Sequence, residues 1–239
     1  MTDIMTNRLD EWRTLQTIGK GKLSISEYPI DTLETIGAYD ISYLQSDQNK
    51  GYVTLTLSTY PDMQPYYQES QLMSTTVPYI SGFLAFRESE LICSHFREFR
   101  KARADIAGPD LLLIDGSGIY HERGFGLASQ VGLELGIPTI GIAKTPILLP
   151  GLEDIQTRWT DFWKVNPPET PMPITNNVTG ETYGYAIRAN GSKKPHFVSP
   201  GQLITVEQAY KVAQICRIQP NLDPIRLSDH GGRVLCGQI

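Results

Sequence analysis

The sequence predicts an α/β protein, a mixed sheet flanked by helices with a C-terminal hairpin and helix. Three observations carry this. Leu111–Ile114 is an unbroken apolar run between Asp110 and Asp115. It is too short for a helix and apolar on both faces, so it reads as a buried central strand. Pro138–Lys144 has the same character, and a helical pattern lies between the two, which is the strand-helix-strand unit of parallel pairing. Tyr52–Tyr60 alternates instead, with Val53, Leu55 and Leu57 against Thr54, Thr56 and Ser58, as a half-buried strand does.

The other elements follow in order. Asn7–Gly19 sets Leu9, Trp12, Leu15 and Ile18 at helical spacing, ending near Gly19 or Gly21. Ile36–Tyr43 reads as a strand carrying Asp40, and Tyr66–Thr76 as a weaker strand after the turn bracketed by Pro61 and Pro65. From Gly82 to Arg103 Leu84, Leu91, Ile92, Phe96 and Phe99 share a helical face. Gly126–Gly136 is a short helix with a terminating glycine. Residues 149–180 hold five prolines and no period, so an irregular surface excursion is expected, ordered in part by Trp159 and Trp163. Tyr183–Ala189 and Lys194–Ser199 form a hairpin around Asn190-Gly191. Thr205-Val-Glu-Gln208 is a capping box opening a helix to about Arg217, and the tail from Asp223 to His230 reads as polar and turn-rich.

Composition bounds the function. The 239 residues, 40% hydrophobic and 20% charged, suit one folded domain over 1–239 with one sizeable core. No apolar run approaches the ~20 residues of a membrane span, and Met1–Asp10 holds no apolar signal core. Cys93, Cys216 and Cys236 are odd in number and widely spaced, which favours reduced thiols in a cytoplasm over a zinc cluster. A net charge of −5 excludes a general polyanion binder, so a nucleic-acid partner needs a local basic face. A monomer is the expected state.

The acids fall in a telling order: Asp40 on a strand, Glu88 on a helix after two antiparallel strands, Asp115 at the end of the central strand. This resembles the ribonuclease H-like fold, in which such carboxylates meet at one end of the sheet. Crowded carboxylates repel, and a hard divalent cation with oxygen ligands removes the conflict. Singly, Asp40 reads as a strand-end acid and Glu88 as a solvated helix acid; the order gives them weight.

Three motifs make the resemblance specific. Pro78-Tyr-Ile-Ser-Gly-Phe-Leu-Ala-Phe-Arg-Glu88 resembles the PYIPGFLxFRE motif of the endonuclease V family. Asp110-Leu-Leu-Leu-Ile-Asp-Gly-Ser-Gly-Ile-Tyr-His121 is similar to its D-x4-DGxGxxH motif, and Ile137–Lys144 to its next strand. Further matches extend to Asp229, so the likeness spans about 35–230. The resemblance implies a nuclease that cuts the second phosphodiester bond 3′ of deoxyinosine in DNA with Mg²⁺ or Mn²⁺, some members preferring RNA. It implies Asp40, Glu88 and Asp115 as metal-site carboxylates, with Asp229 completing the site. Lys144 then meets phosphate or water as a point charge, and His121 a phosphate oxygen. Tyr79, with Ile80 beside it, is the wedge that replaces lost base stacking, and Gly82, Gly116 and Gly118 line the inosine pocket.

Several positions depart from the family pattern. Ser81 stands for a proline, Ser117 for His or Gln, Glu122-Arg123-Gly124 for a Pro and two basic residues, Gln130 for a frequent His, and Thr145-Pro146 where a further basic residue is usual. They remove positive charge along the phosphate path. A damaged-nucleic-acid binding protein of weak or no turnover is therefore the alternative. A nucleotide-binding reading of Gly116-Ser-Gly118 is weaker, because the full GxGxxG spacing is absent.

Overall fold

The computed structural model describes residues 2–188, 192, 194–217 and 221–238. Eight strands form one sheet: β1 (Thr35–Tyr43), β2 (Lys50–Thr59), β3 (Pro65–Ser74), β4 (Leu111–Asp115), β5 (Thr139–Ala143), β6 (Met172–Thr175), β7 (Thr182–Ile187) and β8 (His196–Gln202). Their spatial order is β3-β2-β1-β4-β5-β8-β7-β6. The centre, β1-β4-β5, is parallel, and both flanks are antiparallel.

Leu111, Leu112, Leu113 and Ile114 of β4 have no exposed surface. Each such side chain contributes about 1.5–3 kcal/mol on leaving water. Alternation divides them. Leu111 and Leu113, with Ile36, Ala38, Ile140 and Ile142, face the helices α5 (Val206–Arg217) and α6 (Pro224–Leu235). Leu112 and Ile114 face α2 (Leu84–Ala102) and α3 (Leu127–Leu135). Continuing that alternation past each strand's last core residue puts Asp40, Asp115 and Lys144 on the face that α6 covers.

The capping box forms as the sequence implies: Gln208 N donates to Thr205 Oγ1 at 3.2 Å and Thr205 N to Gln208 Oε1 at 3.4 Å. Gly136 ends α3 in the left-handed conformation. The tip of the hairpin, Asn190-Gly191, lies outside the described residues. Among the described residues, no helix is long and apolar enough to cross a membrane.

Besides β2, whose Thr54, Thr56 and Ser58 face is fully buried rather than half-buried, three expectations need correction. The stretch 149–180 is not an irregular excursion. It holds α4 (Ile155–Val165) and β6, which joins the sheet through β7. Met172, Ile174 and Ile155 enclose a third core cluster against Phe197 and Tyr120, with Trp159 and Trp163 packed on it. Its order comes from contacts outside the segment, which local periodicity does not register.

The tail, too, is helical rather than turn-rich. Asp223 caps α6, its carboxylate accepting from Ile225 N and Arg226 N, with Pro224 at the first helical position. Gly232 lets the helix lie against β1 and β2, since a Cβ there would meet Ser42 Oγ at 2.7 Å.

The third correction concerns α1 (Thr2–Lys20), which buries Trp12, Gln16 and Gly19 while Leu15 and Ile18 stay about half exposed. The helix is turned about its axis by roughly one residue relative to the apolar stripe. Gln16 finds hydrogen-bond partners inside, and Gly19 admits the Phe125 ring.

Candidate active site

Three neighbouring strands bring the polar residues together. Tyr39 of β1 pairs with Ile114 of β4, so Asp40 and Asp115 follow at the same level. Lys144 follows the last residue of β5. Its ammonium lies 2.6 Å from Asp115 Oδ2 and 3.9 Å from Asp229 Oδ1, Asp229 arriving from α6. Asp40 is buried and accepts from Ser42 Oγ at 3.2 Å. Glu88, also buried, reaches in from α2 on the other face, close to the Tyr43 hydroxyl, which makes no hydrogen bond among the described residues. Asp40, Glu88, Asp115 and Tyr79 line one cavity of about 310 Å³.

The electrostatics follow from this crowding. Burial, a side-chain hydrogen bond to Asp115 and that residue's charge raise the Asp40 pKa to about 8. Burial and the charge of Asp115 raise Glu88 to about 8. Burial works against the Lys144 ammonium, but Asp115, Asp40 and Asp229 outweigh it, and its pKa is raised. As placed, no three His, Cys, Asp or Glu side chains among the described residues converge to hold a metal ion. Lys144 sits on Asp115 as the local counter-charge. The set nonetheless fits a hard divalent cation by donor chemistry: every candidate ligand is a carboxylate oxygen, and burial with the Asp115 charge raises the pKa of two of them.

Asp115 and Tyr79 also border a second cavity of about 480 Å³, with Gly82, Gly116, Ser117 and Lys144 in its wall. Tyr79 stands at its rim, 70% exposed. Glu122 lines it as well, paired with Arg123 at 3.0 Å. Two residues expected to meet substrate, Ile80 in the wedge and Gly118 in the pocket, are not among those lining either cavity. Gly118 lies behind the wall: its N–H donates to Ser199 Oγ at 2.9 Å, and a Cβ there would be 2.1 Å from Pro200 O. Gly118 is thus needed for close packing of the loop on β8.

His121 is placed beside the second cavity, but both ring nitrogens are engaged. Nδ1 accepts from Arg123 N at 3.2 Å, which leaves Nε2 to donate to Gly82 O at 3.1 Å. Burial and the neighbouring Arg123 lower its pKa to about 4, so the ring is neutral. Sequence reasoning missed Tyr43, whose buried hydroxyl lies near Glu88, and Gln16, which bonds to Gly82 O at 3.1 Å. The available signal for Gln16 was an amide four residues after Trp12, in phase with a buried stripe.

The endonuclease V family model matches residues 19–230. The chain belongs to the endonuclease V family. The Bacillus velezensis endonuclease V is 32% identical over 237 residues, covering 97% of this chain and 92% of that protein. The crystal structure of the catalytic domain of human endonuclease V superposes with a TM-score of 0.87 at 26% identity, covering 98% of this chain and 99% of that one. A Ciona intestinalis endonuclease V, in complex with a 24mer DNA containing an inosine followed by a ribo-adenosine, gives 0.89 at 25% identity, covering 97% and 99%. The mixed eight-stranded sheet with flanking helices is thus the ribonuclease H-like architecture of the endonuclease V structures.

Proposed function

We propose that this chain is a divalent-metal-dependent endonuclease. In this reading it hydrolyses the second phosphodiester bond 3′ of deoxyinosine in DNA and leaves 3′-hydroxyl and 5′-phosphate ends. Inosine-containing RNA is the second substrate class. It acts as a cytoplasmic monomer, its three cysteines free thiols. The observation that carries the reading is the juxtaposition of Asp40 and Asp115, each one residue past the last pair of the parallel β1–β4 ladder, beside a cavity rimmed by an exposed tyrosine. The inosine-containing DNA bound by the Ciona relative supports the substrate class.

Asp40, Glu88 and Asp115 would hold Mg²⁺ or Mn²⁺, with Asp229 beside them. A bound cation supplies charge neutralisation at the phosphate and a more acidic water. The chain's own residues do the rest. Tyr79 fills the stack vacated by an extruded base. The cavity of about 480 Å³ is of the size that takes a small ligand, and the backbone at Gly82 and Gly116 forms part of its wall. Lys144 leaves Asp115 to meet a phosphate oxygen as a point charge. Without the cation Asp40 and Glu88 keep their protons, with pKa values near 8, and they would give them up to hold it.

The test is a panel of inosine-containing duplex DNA, single-stranded DNA and RNA, each with Mg²⁺ or EDTA. Nicking one bond beyond the inosine's own 3′ linkage is expected, and only with the metal. Tight binding without nicking in either Mg²⁺ or Mn²⁺ would place the chain among binding proteins instead.

A stability effect follows from the same acids. Unfolded, Asp40 and Glu88 titrate near 3.8 and 4.5; folded, near 8. The folded state therefore binds more protons across that window, and the stabilisation present below it is lost as pH rises through about 8. In EDTA, Tm is expected to fall between about pH 5 and about pH 9, more steeply than in Asp40→Asn. Mg²⁺ binds the deprotonated acids, so its stabilising effect grows over the same range. Equal slopes in both proteins, or Mg²⁺ stabilisation that does not depend on pH, would contradict the assignment.

A further inference from the structure

The carbonyl of Gly82 accepts three donors. Gln16 Nε2 lies 3.1 Å away, His121 Nε2 3.1 Å away, and the Arg123 guanidinium donates to it as well. Gly82 has φ +77°, which disfavours any side chain there. Arg123 Nε donates to Gln16 Oε1, closing the network, and the guanidinium lies 4.4 Å over the Phe83 ring. At the other end of the same turn, the Arg87 guanidinium binds the carbonyl of Val77. Residues 78–81 thus form an arch pinned at both feet. Within it, Phe83 N to Ile80 O at 3.0 Å is the internal backbone bond. Tyr79, 70% exposed, stands on the arch.

We propose that Gln16 and Arg123 are positioning residues. Through the Gly82 carbonyl they hold the 78–82 arch, and with it Tyr79, in the conformation that enters the nucleic acid. This rests on the nuclease reading above. Burial of Gln16 is the telling feature. An amide taken out of water needs partners, and α1 had Leu15 available beside it, yet the amide is buried and the leucine is left half exposed. A helix rotated to present an amide rather than a leucine gives up apolar burial for hydrogen bonds. Those bonds go to one foot of the arch and to Phe125 O. Trp12, stacked on Phe86 at 4.7 Å, fixes α1 against α2 and keeps the amide aligned.

The experiment uses Gln16→Glu and Arg123→Lys. The first keeps size and the bond from Arg123 but cannot donate to Gly82; the second keeps charge but loses the fork. Amide hydrogen exchange over 77–84 in the free protein should accelerate in both, with β4 and α3 unchanged. Single-turnover nicking of inosine duplex should slow by about 10- to 100-fold with KM changed far less. Added to Tyr79→Ala, either variant should cost almost nothing further, because the arch then carries no aromatic to position. Unchanged exchange at 77–84, or losses that simply add to that of Tyr79→Ala, would overturn the proposal. If the wild-type protein cuts no nucleic acid, the nuclease reading fails by itself. The exchange measurement then still decides whether the two side chains clamp the arch.

Discussion

Asp115→Asn should lower the single-turnover rate of inosine-DNA cleavage by about 10³-fold or more while leaving the protein folded. The magnitude follows from what one preorganised charge contributes where charge develops in the transition state. Asp115 is the carboxylate the others answer to: it faces Asp40, it acts on Glu88, and Lys144 lies 2.6 Å from it. It also borders both cavities. The stability cost is small because two changes oppose each other. The ion pair with Lys144 is lost, but that lysine is 53% exposed, and such pairs contribute ~0–1 kcal/mol. Repulsion toward Asp40 and Glu88 is relieved at the same time. Tm in EDTA should hold or rise slightly, and Mg²⁺ should no longer raise it. A variant that still nicks in Mg²⁺, or one whose lost activity is matched by lost folding, would show that Asp115 is not the residue on which the site turns.

The sequence disclosed this carboxylate and not its surroundings, for physical reasons. Leu111–Ile114 can only be a strand buried on both faces, so the position of Asp115 at its end was legible from the residues alone. Lys144 follows from the same rule on β5, whereas Asp40, inside β1, gained its weight from the order of the acids. The capping box at Thr205 was legible because both partners lie within one turn. What was hidden depended on distant partners. Asp223-Pro224 and Gly231-Gly232 are turn chemistry in isolation. They become a helix start and a close helix-sheet contact once Arg217, Ser42 and Gln68 are near. Gln16 reads as the polar side of a helix until Gly82 and Phe125 come within reach. His121 was expected to meet a phosphate oxygen, and nothing in the sequence tells that its ring also bonds to Gly82 O and the Arg123 amide. Family likeness names residue types at positions, whereas hydrogen-bond partners depend on the whole packed structure.

The second large effect lies away from the acids. Asp223→Ala should destabilise the protein by about 3–5 kcal/mol, the cost of stranding one partner of a buried pair. Asp223 and Arg217 are 2.8 Å apart with side chains 2% and 7% exposed. Burial raises the Asp223 pKa even with Arg217 beside it, so desolvation outweighs the attraction of its partner. The pair is therefore a constraint more than a source of stability, and removing both charges costs less than removing one. Arg217→Met with Asp223→Ser tests this, since serine still caps α6. The double variant should lose about 1 kcal/mol or less. The single variant should drop in Tm by about 6–20 °C, at 2–4 °C per kcal/mol for a chain of this size. The effect should reach the site. Asp223 fixes the start of the helix that carries Asp229 to within 3.9 Å of Lys144. Asp223→Ala should thus lose nicking activity at temperatures where it is still folded, and the double variant should regain it. Equal destabilisation in both would mean that the pair contributes net stability of its own. Full activity in folded Asp223→Ala would mean that Asp229 reaches its place without the cap.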